Sequence, residues 1–138
     1  MNNLKEKKLD NKGFSLVELI IVIAIMAVLI GVLAPQYLKY VERSRQSADL
    51  DNIDQIISAV EIYAAENGVA AGDIKSDTNG KITTTFTAAM TNAGLTNLPD
   101  MKSSAYKKAW TITVASDGTM TVSDATLAEA LGRAPSTP

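Results

Sequence analysis

From Leu19 to Ala34 no side chain is charged or polar, and the apolar run reaches back to Phe14 with only Ser15 and Glu18 interrupting it. At ~1.5 Å per residue, a helix from Phe14 to Ala34 is about 30 Å long, the thickness of a bilayer core. A helix that is apolar all round must be surrounded by lipid or by a large protein core, and the rest of the chain is too small to supply the core. The run therefore predicts a membrane-spanning helix. From Gln36 to Asn67 the pattern becomes one-sided. Leu50, Ile53, Ile57, Val60 and Ala64 recur at spacings of three and four, with Ile56 and Tyr63 beside them. Asp49, Asp51, Asp54, Glu61 and Glu66 fall largely elsewhere. This is an amphipathic helix, stopped by Asn67-Gly68. Together the two patterns predict one near-continuous helix from Phe14 to Asn67, about 80 Å long at ~1.5 Å per residue.

Past Gly68 the pattern is that of a small sheet. A loop containing Asp77-Thr78-Asn79-Gly80 leads to a short strand over Lys81 to Phe86. Thr87 to Ala93 reads as a short helical turn before Gly94. Trp110, Ile112 and Val114 alternate with Thr111 and Thr113, the signature of a half-buried strand. Ser116-Asp117-Gly118 turns the chain, and Met120 and Val122 continue on the return strand. Asp124 is placed to cap a last helix, Ala125 to Leu131, stopped by Gly132. The Pro-Ser-Thr-Pro tail reads as loose. The fold class is α+β: a long N-terminal helix whose second half packs on a small antiparallel β-sheet head.

Composition narrows the chemistry. Without cysteine there is no disulfide, thiolate metal site, lipidated cysteine or thiol nucleophile, and without histidine the commonest general base and metal ligand is missing. No nucleophile–base pair stands out, which argues against an enzyme. The basic residues do not cluster and aromatics are few, so no nucleic-acid surface is expected. Asp49, Asp51 and Asp54 lack the glycine turn and closing glutamate of a calcium loop, and Asp73, Asp77 and Asn79 offer too few ligands. All are expected to be solvated, with no metal and no cofactor. Phe14, Tyr37, Tyr40 and Tyr63 are too spread along the helix to form a conducting stack.

Charge orients the span. Lys5, Lys7, Lys8 and Lys12 precede it, partly offset by Glu6 and Asp10, so the N-terminal end is expected in the cytoplasm. An ordinary secretory signal begins the same way, but its apolar run is shorter and a small-residue cleavage site follows it. Here Pro35 occupies that place.

Around the start of the span the chain reads Lys12-Gly13-Phe14-Ser15-Leu16-Val17-Glu18. This closely resembles the prepilin signature of type IV pilins and of the pseudopilins of type II secretion, over Lys12 to about Ala48. The resemblance implies that a membrane-embedded aspartyl peptidase cuts between Gly13 and Phe14 and N-methylates Phe14. Residues 1–13 are then a leader, 14–35 a transmembrane and polymerisation helix, 36–67 its amphipathic continuation and 68–138 a globular head, the lollipop shape of the family. The mature chain has 138 − 13 = 125 residues, and losing four lysines and two acids takes the net charge from −2 to −4. Gly13 lets a protease approach the backbone closely, and cutting before the apolar run leaves the anchor on the product.

Glu18 places a carboxylate inside the span, at a cost of roughly 2.5–3.5 kcal/mol at mid-membrane and less near the edge. The resemblance implies that it pairs with the amine of Phe14 on a neighbouring subunit; the alternative is a carboxylate that snorkels to the headgroups. Pro35 lacks an N–H, which deprives the Gly31 carbonyl of its helical partner. Gly31 to Pro35 is thus the expected helix break, unwound or bent in filaments of the family, or else a simple kink. The partners implied are other copies of the chain in a helical homopolymer, the prepilin peptidase and methylase, the pilus assembly machinery and the membrane. The expected course is a single-pass cytoplasmic-membrane precursor and then an extracellular pilus serving adhesion, surface motility or DNA uptake. The absence of cysteines resembles pilins of Gram-positive bacteria. A pseudopilin is the alternative fibre subunit, and a single-pass membrane binding protein that never polymerises is the alternative from another class.

Overall fold

A computed structural model describes residues 15–135. The chain divides into two compact units, one up to Tyr40 and one from Val41 onward. Helix α1 runs over Leu16–Asn67 and contributes to both. It stops where the sequence predicts: Gly68 turns to a φ of 90°, a conformation glycine adopts without penalty, and its N–H closes on the Ala64 carbonyl at 2.8 Å. The break expected at Gly31 and Pro35 does not interrupt α1, which continues through both residues. One missing hydrogen bond leaves the neighbouring turns intact, so the helix assignment survives it.

In the first unit every large apolar side chain from Leu16 to Leu33 is at least half exposed, from 51% at Ile21 to 74% at Leu16. The second unit has a core of its own. The α1 residues Ile53, Ile56, Ile57 and Val60 are buried, as the three-and-four spacing requires, and Leu50 and Tyr63 pack at its margin. Opposite them lies a sheet ordered β2-β1-β3-β4-β5, built from β1 (Gly72–Ser76), β2 (Ile82–Thr84), β3 (Trp110–Val114), β4 (Met120–Val122) and β5 (Ala134–Pro135). Register lines up Ile74, Ile112 and Val122 across three strands, and all three are fully buried. Short helices α2 (Thr87–Asn92) and α3 (Ala125–Leu131) add Ala89, Met90, Leu127 and Ala128 to the same core.

The first four strands pair antiparallel as expected, but β5 runs parallel to β4, so the sheet is not wholly antiparallel. Helix α3 carries the chain back alongside β4, and Pro135 is tolerated because an edge strand has no outer partner to donate to. The remaining tail, residues 136–138, lies outside the described residues. Strand β1, the centre of the β2-β1-β3 ladder, falls in a stretch whose composition reads as loop. The segment between α2 and β3 is irregular and is gripped by the second half of α1. Asp49, buried to 1% exposure, accepts from the backbone N–H of Lys102 at 3.0 Å and of Ser103 at 2.8 Å. About two turns back along the same face of α1, Glu42 accepts from the N–H and hydroxyl of Ser104 at 2.8 and 2.7 Å. Asp49 is therefore not the solvated residue that its acidic neighbourhood suggests. Asp77 does behave as a turn residue: its Oδ1 accepts from the N–H of Asn79 and of Lys81 at 2.8 and 3.0 Å.

Candidate assembly site at the start of the long helix

Gly13 and Phe14 lie outside the described residues. The described site begins one residue later, where Ser15 precedes the first turn of α1 and Glu18 sits within it. Two reciprocal hydrogen bonds join them. The Glu18 N–H donates to Ser15 Oγ at 3.2 Å, and the Ser15 N–H donates to Glu18 Oε2 at 3.3 Å. This is a capping box, the arrangement that a serine followed three residues later by glutamate, ahead of an apolar run, is built to make. It satisfies N–H groups that the first turn of a helix otherwise leaves unpaired. Both distances exceed the ~2.7–2.9 Å of a strong charge-assisted bond, so the hold is weak. Glu18 Oε1 accepts no hydrogen bond among the described residues.

The Ser15 contribution escaped the sequence reading, although the Ser-x-x-Glu spacing was legible. Around Glu18 the helix presents only apolar side chains up to Leu33, and Gly31 leaves a gap on that surface in which an added Cβ meets nothing within 4 Å. Gly31 and Pro35 share the span with Glu18 but make no site with it: they lie 13 and 17 residues further on. Among the described residues no three acidic side chains gather as metal ligands. A recess of about 440 Å³ in the second unit is lined mainly by apolar groups, among them Val60, Phe86, Val114 and Met120. The carboxylate on its wall, Glu61, is already bound to Arg133 at 2.6 Å.

The family model for the prokaryotic N-terminal methylation motif matches residues 8–34. The chain is 38% identical over 104 residues to the fimbrial protein EcpC of Eikenella corrodens, an alignment covering 70% of this chain and 67% of that one. It is 36% identical over 56 residues to the type IV major pilin protein PilA of Myxococcus xanthus, covering 41% and 26%. It is 35% identical over 77 residues to the prepilin peptidase-dependent protein A of Clostridium perfringens, covering 56% and 52%. The chain thus spans 67% of the first relative's length, and 26% and 52% of the other two. No solved structure matches the chain.

Proposed function

Because this chain belongs to the type IV pilin family and is a structural subunit of a pilus, we propose that it is a major pilin matured by cleavage between Gly13 and Phe14 and N-methylation of Phe14. The precursor crosses the cytoplasmic membrane once, with its lysine-bearing leader inside. The observation that carries this reading is the all-round exposure of the apolar side chains from Leu16 to Leu33, with Glu18 the one carboxylate among them. Such a surface is stable only in lipid or against sister helices. A lone carboxylate there calls for a cation. The leader cut supplies one, the α-amino group of Phe14, and methylation preserves its charge. In a fibre that amine belongs to a neighbouring subunit, and the pair sets the height at which each helix docks. A subunit entering out of register would bury both charges unpaired, at a cost of several kcal/mol. Gly31 and Pro35 supply a weak point at which the helix can adjust to its neighbours. The processing enzyme and the assembly machinery are the partners before the fibre, and further copies of the chain are the partners within it. The names of the relatives favour a pilus subunit over a pseudopilin.

Glu18→Val tests the reading. The variant is expected to insert, be cut and fold its head, yet form few or no homopolymeric filaments. Surface filament yield by electron microscopy, set beside the membrane level of processed subunit, measures this. Abundant filaments made of Glu18→Val alone would overturn the assignment.

A further inference from the structure

We infer that the exposed side of α1 in the second unit is a docking surface for a second copy of this chain, where Arg43 and Arg45 of one copy meet Asp51 and Asp54 of the next. This rests on the chain being a pilus subunit and does not depend on the Glu18 pairing. All four side chains are exposed. None of them is in a salt bridge among the described residues, where the ion pairs are Lys75–Asp73, Lys108–Asp124 and Arg133–Glu61. The helix itself offers no partner either. Helical neighbours stand three or four residues apart. At those spacings Arg43 meets no carboxylate, and neither Asp51 nor Asp54 meets a cation. Arg45 has Glu42 and Asp49 at those spacings, but both carboxylates are taken by the backbone of Lys102, Ser103 and Ser104. A helix stabilised by its own charges interleaves opposite signs. Here the exposed charges are sorted instead, cations first and anions further along.

Sorted bands meet when parallel copies are displaced along the helix axis. At ~1.5 Å per residue, Arg45 reaches Asp51, six residues on, with a displacement of about 9 Å, and Arg43 reaches Asp54, 11 residues on, with about 17 Å. Copies that leave one membrane in the same orientation are parallel. Copies set level would bring arginine to arginine and aspartate to aspartate, so the same bands disfavour that register. The contact joins two different surfaces, so it does not close on a pair and can propagate along a fibre. Ile62, which borders the same shallow recess as Asp51 and Asp54 and is 62% exposed, adds apolar area to this surface. Anionic lipid headgroups would satisfy the arginines and leave the aspartates alone, whereas a second copy satisfies both.

The experiment expresses the full chain in cells that carry the assembly machinery, with the arginines reversed (Arg43→Glu with Arg45→Glu), with the aspartates reversed (Asp51→Lys with Asp54→Lys), and with all four changes together. It reads processed subunit in the membrane and sheared filaments per processed subunit. Each two-site reversal sets like charges against each other, and is expected to leave the processed subunit at its wild-type level while filaments fall about tenfold. The four-site chain exchanges the bands and is expected to recover most of the yield. Neutral variants check the contact without repulsion. Arg43→Gln with Arg45→Gln, and Asp51→Asn with Asp54→Asn, are each expected to lower the yield, and their combination is expected to cost no more than the larger of the two losses, because one contact is removed only once. Wild-type yield from either reversal would overturn the inference, as would a four-site chain no better than the reversals, or neutral losses that multiply when combined. Loss of processed subunit on reversal would also overturn it, because the band would then be serving insertion or the peptidase. Filament loss confined to the arginine variants would assign those residues to anionic lipid instead. The Glu18 reading stands or falls on Glu18→Val alone, whichever of these results is found.

Discussion

Asp49 shows how a single side chain organises a stretch with no regular structure of its own. Its buried carboxylate satisfies two consecutive backbone N–H groups, that of Lys102 at the margin and that of Ser103 in the interior. Asp49→Ala leaves the Ser103 donor buried and unpaired, at a cost of about 1–3 kcal/mol. Thermal melts of the detergent-solubilised chain are expected to show a lowered Tm with the same processing and membrane level; an unchanged Tm would mean that water replaces the carboxylate. Asp124 gives the residue scale its pH dependence. Lys108, at 2.7 Å, chiefly lowers its pKa, and the Leu127 N–H at 2.8 Å lowers it further against a partial rise from burial. A pKa depressed on folding stabilises the fold fully above the ordinary aspartate value of 3.8, and that contribution is lost as pH falls through the lower folded value. Melts are expected to be steady at neutral pH and to drop below 3.8. Asp124→Asn should begin less stable and lose less over the same acid range.

At the scale of elements, legibility followed local signals. The all-apolar and the amphipathic stretches of α1, the β3–β4 hairpin and the capped α3 stand in the structure as their residues predict. Asp124 accepts from Leu127 N–H, and Gly132 ends α3 at a φ of 67°. Strand β1 carried no such signal, since in Gly72-Asp73-Ile74-Lys75-Ser76 Ile74 is the one apolar side chain. Its strand character comes from pairing with β2 and β3 on both sides, information held 6 residues (Ser76 to Ile82) to 42 residues (Gly72 to Val114) away in sequence. The Glu42 and Asp49 grips were hidden for the same reason: a helix shows which of its acids share a face, but not which backbone will arrive there. At the helix start the capping box was readable from spacing, whereas the orientation of the carboxylate needed coordinates. The Gly31–Pro35 region makes an element-scale prediction. Pro35→Ala returns a partner to the Gly31 carbonyl and removes a ring clash, a gain of up to ~3 kcal/mol in local helix stability. Amide exchange measured in detergent micelles is expected to slow around Gly31 and the following turn. Equal exchange in both chains would show that α1 has no weak point there.

At the scale of the molecule, the two units place opposite demands on their surroundings. From Val41 onward the chain buries its own apolar residues, and among the described residues no buried side-chain nitrogen or oxygen lacks a partner. Up to Tyr40 the described chain buries no large apolar side chain. Such a first unit must stay in lipid until sister helices replace the lipid, so maturation has to retain it. A cut after Ala34 would release the head and discard the one part that can pack into a fibre core. A cut between Gly13 and Phe14 keeps the anchor, removes the four lysines of residues 1–13 and creates an α-amino group four residues before Glu18. Retention of the leader would leave those lysines at the end of the helix, where they must be dragged through or excluded from an apolar bundle at a high desolvation cost. Intact-mass analysis of subunits from sheared filaments is therefore expected to give a chain of 138 − 13 = 125 residues, beginning at Phe14 and heavier by one methyl group. Gly13→Glu, which puts a bulky charged side chain where the peptidase must approach the backbone, is expected to leave only full-length precursor in the membrane and no filaments. Filament subunits that begin at Met1, or normal processing of the glutamate variant, would show that the fibre does not depend on this cut.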